Sequence, residues 1–171
     1  MIRIINDYAK LSVLLEQYQT AEKTLAEVEM QQEALYRMSG EFSKELESAK
    51  HNVVKAIKVA TATRDAYIRT IQQLTNLNPE EFYKKLIKLS SSLDAAQQYR
   101  QEEAEFRTVF EILAETDGFS EDSPRADFEA KLELIDNKAT VAEEIAERKL
   151  VEIISQSKPL VVSTATVLQA Q

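Results

Sequence analysis

The chain has 171 residues, of which 44% are hydrophobic and 29% charged, with two glycines, three prolines, and neither cysteine nor tryptophan. Two glycines cannot supply the tight turns of a β-sandwich or the phosphate-approaching backbone of a nucleotide-binding loop, and without cysteine there is no disulfide, thiolate metal site or thiol nucleophile. Twenty-nine acidic groups against 21 basic ones leave a net charge of −8, which repels a phosphate backbone and argues against nucleic acid as a partner.

What remains is helix. Ala, Glu, Lys, Leu and Arg make up 80 of the 171 residues, the share found in coiled coils and long bundles, so the expected class is all-α. The opening residues Met1 to Lys10 meet Asp7 and Lys10 before any apolar run of signal-peptide length, and no stretch approaches the ~18 apolar residues of a membrane span. The expectation is a cytoplasmic protein, or part of a particle or machine assembled from the cytoplasm.

From Leu11 to Leu74 a heptad holds. One set of positions reads Leu11, Tyr18, Leu25, Gln32, Ser39, Leu46, Val53, Ala60, Tyr67 and Leu74. The other reads Leu14, Ala21, Val28, Leu35, Phe42, Ala49, Ala56, Thr63 and Thr70. A 3.5-residue repeat kept in phase this long predicts a left-handed supercoil against partner helices, because a straight helix lets the stripe drift by ~20° per heptad. Gly40 sits inside the phase. A lone helical glycine costs only about 1 kcal/mol against alanine, so the pattern favours one helix over 4–75 with Gly40 as a hinge. The alternative is a turn at Gly40 and an up-down four-helix bundle.

Asn78, Pro79, Glu80 and Glu81 read as cap, first helical residue and acidic first turn of a helix over 79–116. Its stripe is Phe82, Leu86, Leu89, Leu93, Ala96, Tyr99, Phe106, Phe110 and Leu113, with a slip of phase around Arg100 to Glu103, and Gly118 supplies the left-handed terminator. Ser123 and Pro124 repeat the start signal for a helix over 124–157, whose face is Phe128, Leu132, Ile135, Ala139, Ala142, Ile145 and Ile153. The fold expected is a single bundle domain over 1–158, of long antiparallel coiled-coil type, with helices at about 4–75, 79–116 and 124–157. A short tail over 159–171 is apolar and β-branched from Leu160 to Leu168.

Chemistry is scarce. His51, the only histidine, invites comparison with phosphotransfer bundles, but the lysine and glycine those carry three and four residues later are Val54 and Lys55 here. A di-iron bundle needs two Glu-x-x-His motifs, and none is present. Carboxylate clusters at Glu102, Glu103 and Glu105, and at Glu143, Glu144 and Glu147, have the spacing of solvated faces. No catalytic, metal or cofactor residue is assigned, and no small-molecule substrate is expected.

Folding 79–116 back on 4–75 about residue 77 pairs position i with 154 minus i. This sets Glu102, Glu103 and Glu105 beside Lys50, His51 and Lys55, and gathers Lys84, Lys85 and Lys88 with Arg64 and Arg69 into a basic patch suited to an acidic partner. Leu160, Val161, Val162, Val167 and Leu168 are a second candidate partner surface. The function expected is a non-enzymatic structural or adaptor subunit packing by helical seams into a larger assembly such as a virion, tail or secretion machine. Its partners would be other protein subunits, copies of itself among them. A helical-hairpin chaperone or regulatory binding module is the alternative; a membrane-curving helical dimer ranks below both, for want of a concentrated basic face.

Overall fold

The computed structural model describes residues 1–38 and 43–154. They form four helices and, among the described residues, no strand: α1 (Ile2–Arg37), α2 (Ser43–Thr75), α3 (Pro79–Glu115) and α4 (Arg125–Ile153). The described residues divide into two compact units, one within Ala9–Tyr83, the other of Met1–Tyr8 with Lys84–Ile153.

In the first unit α1 and α2 lie side by side and antiparallel. Lys50 stands 5.1 Å over the ring of Tyr36, and Arg64 is close enough to Tyr18 to act on its hydroxyl. In one straight helix at 1.5 Å per residue, Tyr36 and Lys50 would be roughly 21 Å apart along the axis. The continuous helix expected over 4–75 is therefore replaced by two helices. Heptad phase could not exclude this, because a hairpin of two helices and one helix with an outside partner both require the 3.5 repeat. Gly40 itself lies outside the described residues.

Leu11, Leu14, Ala21 and Leu25 of α1 are buried, as are Val53, Ala60 and Ile71 of α2. Each fully buried Leu or Ile contributes about 1.5–3 kcal/mol relative to exposure. The two sets of heptad positions fare differently on α2: Val53 and Ala60 of the first set are buried, whereas Ala56 of the second is exposed. α2 ends at Asn76, in the left-handed region with φ 56°, whose N–H donates to Gln72 O at 2.8 Å. This bond closes the last turn, and asparagine is among the few non-glycine residues that tolerate the conformation.

α3 starts where its cap chemistry directs. Glu81 N–H donates to Asn78 Oδ1 at 2.8 Å, and Pro79 is the first helical residue, where its missing N–H leaves nothing unsatisfied. At its other end the left-handed residue is Asp117, φ 52°, and not Gly118 as expected. Gly118 N–H closes the helix on Leu113 O at 2.8 Å, and an added Cβ there would meet Leu113 Cδ2 at 2.9 Å, the tip of a flexible side chain that can turn aside.

In the second unit α3 and α4 are antiparallel, with Phe106 stacked on Phe128 at 5.7 Å and Lys149 Nζ donating to Ser92 Oγ at 2.5 Å. Leu86, Leu89, Leu93 and Ala96 are buried from α3, and Ile135, Ala139, Ala142, Ala146, Leu150 and Ile153 from α4. Ile145, expected on the inner face, is exposed, and Ala146 takes the place. The spacing from Ala142 to Ala146 is four residues, a step that brings a second small side chain to the contact and rotates Ile145 outward. α4 ends at Ile153, short of residue 157.

Candidate docking groove

Along the α1–α2 hairpin runs an open groove of about 640 Å³. Its floor is Ala21 and Ala60, both buried. Thr20, Thr24 and Val28 rise on the α1 side, and Ala56, Val59 and Thr63 on the α2 side. Thr24 Oγ1 donates to Thr20 O and Thr63 Oγ1 to Val59 O, each at 3.0 Å. With those hydroxyls committed to their own helix backbone, the threonine methyls make the lining apolar. The charged lining residues are Glu16 at one end and Lys55 at the other. Val59 is 63% exposed, a large apolar side chain left in water by the hairpin itself.

Beside the groove, the Tyr18 hydroxyl is pushed up to about 12, first by burial and then by its hydrogen bond to Glu22, against the opposing charge of Arg64. Arg64 Nε and Nη2 donate to Asp65 Oδ1 at 3.3 and 3.1 Å, and Arg64 shares a shallow depression with Glu22 and Glu29 of α1.

In the other unit the densest electrostatic feature is Arg100. Its Nε donates to Glu143 Oε1 at 2.7 Å, and its Nη1 to Asp136 Oδ1 at 2.6 Å and to Glu103 Oε2 at 2.8 Å. Nη2 reaches Glu143 Oε2 at 3.0 Å, completing a two-point grip on that carboxylate. The carboxyl of Glu103 is held below the usual range by hydrogen bonds from Arg107 and then Arg100, and that of Glu143 by Arg100. Four carboxylate-bound N–H groups on one guanidinium clamp α3 to α4; they leave no open position for a substrate. Nearby, Phe106, Phe110, Phe119 and Phe128 cluster at ring distances of 5.4–5.7 Å, with Lys131 over Phe106 and Arg125 over Phe110. A shallower depression on this unit takes in Tyr99, Leu134, Val141 and Ile145.

The residues singled out from sequence are placed as follows. Lys84 and Lys88 are exposed and Lys85 half-buried on α3; Arg69 is exposed and Arg64 half-buried on α2. His51 is exposed. Of Glu102, Glu103 and Glu105 and of Lys50, His51 and Lys55, expected to pair, three make contacts within their own unit, Glu105 accepting from Gln101 Nε2 at 2.9 Å. Lys50 lies over Tyr36 and 3.7 Å from Glu47, and Glu103 belongs to Arg100 and Arg107. Because α2 returns along α1, Lys50 meets α1 first. Leu160, Val161, Val162, Val167 and Leu168 lie outside the described residues.

Sequence reasoning missed the Arg100 clamp, though its signal was present: the lapse of the apolar stripe at Arg100 to Glu103 stands opposite Asp136 and Glu143, seven residues apart on α4. Among the described residues no helix is long and apolar enough to cross a membrane, and no group of three or more acidic, His or Cys side chains is placed to hold a metal ion. Compared with protein-family models, curated proteins and solved structures, the chain finds no match.

Proposed function

We propose that the protein is a non-enzymatic structural or adaptor subunit that docks by helical faces into a larger protein assembly, the kind of part a virion, tail or secretion machine uses. The observation that carries this is the open groove on the α1–α2 hairpin, an apolar, charge-poor trough lined from two helices. The heptad favours it: Ala56 and Thr63, in phase with a coiled-coil seam, are turned to the groove. A catalytic reading has nothing comparable, since the charged groups that converge most closely are neutralised by Arg100.

A hairpin with one open groove is also what a chaperone or regulatory module presents to a single helix, and stoichiometry separates the two. A one-to-one complex marks the module; incorporation in many copies marks the subunit. Lys84, Lys85 and Lys88, within two turns of α3, are a secondary candidate for acidic partners, and their reversal to Glu is the corresponding variant. For the main reading, Val59→Glu with Thr63→Glu should abolish incorporation into the assembly purified from the native source while circular dichroism stays unchanged. Normal incorporation of that variant would refute it.

A further inference from the structure

We infer that the α1–α2 groove takes an amphipathic helix of another protein, whose apolar stripe is bracketed by one basic and one acidic side chain about eleven residues, or three turns, apart. The inference rests on the docking reading above and names the chemistry of the partner.

The walls of the groove are helical ridges. On α1 the row is Glu16, Thr20, Thr24 and Val28, and on α2 it is Lys55, Val59, Thr63 and Tyr67, each advancing by four residues. Rows at this spacing are what another helix packs against, and the small floor residues Ala21 and Ala60 keep the space between them clear. Tyr36 stands by Lys50 and Tyr18 by Arg64, which sets Glu16 level with Tyr67 and Val28 level with Lys55 and Ala56. From Glu16 to Val28 the groove therefore runs roughly 18 Å along α1.

An extended peptide suits this surface poorly. The walls offer side chains and not a sheet edge, and Thr24 and Thr63 give their hydroxyls to their own helices, so most N–H and C=O groups of a strand laid here would stay unpaired. A helix satisfies its backbone internally.

The charges of the lining add a second constraint. Glu16 and Lys55 lie at opposite ends of the groove, and both are exposed. Neither is in an ion pair with a described residue, whereas Lys23 and Glu27 of α1 pair with each other at 4.0 Å and lie outside the lining. Helix positions eleven apart return to the same face after a rise of roughly 17 Å, which matches the interval between Glu16 and Lys55. A helix with a base at one such position and an acid at the other meets both charges at once and lays the apolar side chains between them on Val59, Thr24 and the alanine floor. A fatty acid or other single-headed amphiphile answers one charge and sets its tail against the other.

The test is fluorescence anisotropy of the full chain with labelled, end-blocked, alanine-based helical peptides. Three peptides share leucines on the stripe and the same net charge, balanced on the outer face, and differ only at the bracketing positions: base with acid, two acids, or two bases. The wild type should bind the first tighter than either of the others by roughly 5-fold or more. Glu16→Lys should move the preference to the two-acid peptide and Lys55→Glu to the two-base peptide, with circular dichroism unchanged because both positions are exposed. Val59→Glu should weaken all three by at least about 10-fold, since the stripe then covers a carboxylate. No saturable binding up to about 1 mM, binding indifferent to Val59→Glu, or a preference that does not follow the two charges of the chain would overturn the inference. So would a dimer of the chain that Val59→Glu dissociates, which puts a second copy in the groove. Any of these results together with lost incorporation of the Val59→Glu, Thr63→Glu variant removes this partner and leaves the docking reading standing. Unchanged incorporation removes both.

Discussion

Arg100 shows what one side chain can settle. It spends its guanidinium on Glu103 of its own helix and on Asp136 and Glu143 of the facing one, and its side chain is 32% exposed, so water screens the Coulomb energy while the geometry stays fixed. Replacing it by Met should cost about 1–2 kcal/mol, more than a lone surface pair because three carboxylates lose their donor together. Thermal denaturation at neutral pH measures this. The acid side follows from the same contacts. Glu103 and Glu143 ionise at lower pH when folded than when unfolded, so the unfolded chain binds more protons as pH falls. Their contribution is complete above the ordinary carboxylate range and is lost as pH drops through the lowered folded values. In Arg100→Met the acid limb of a stability-against-pH curve should be shallower; an unchanged limb would mean that other carboxylates dominate it.

At the scale of the helices, ends were easier to read than partners. Asn78 and Pro79 place the start of α3 to the residue because cap chemistry is local: a side-chain oxygen, an orphan N–H, a missing donor. Asn78→Ala should lower stability by about 1 kcal/mol in urea unfolding. Asp117 holds the left-handed conformation expected at Gly118, so Asp117→Gly should stabilise by roughly 0.5–1 kcal/mol, more than Gly118→Ala changes stability in either direction. What could not be read was which face each helix shows to which neighbour. The 3.5 repeat through Leu11 to Leu74 states that a partner exists, and it is equally satisfied by another stretch of the same chain. The meeting of Tyr36 with Lys50 and of Tyr18 with Arg64 identifies that stretch. The groove was legible in part, as small residues at the second heptad positions Ala21, Ala56 and Thr63. That they stay open could not be read, since openness depends on how many helices the chain supplies.

For the molecule as a whole, a charge of −8 and an apolar groove make opposite demands on association. Raising sodium chloride from about 50 to 500 mM shortens the Debye length from roughly 14 to 4 Å, which screens repulsion from a partner that is acidic overall and leaves apolar burial intact. Association with such a partner through the groove should therefore tighten with salt in sedimentation velocity, whereas association through Lys84, Lys85 and Lys88 should weaken. The threonines of the groove have one more consequence. Their methyls face outward only because Thr24 and Thr63 bind carbonyls one turn earlier, and those carbonyls are within reach only once the helix is wound. In the nascent chain the same hydroxyls are free to hydrate. The apolar character of this surface is therefore a product of folding, absent until the hairpin's helices are wound.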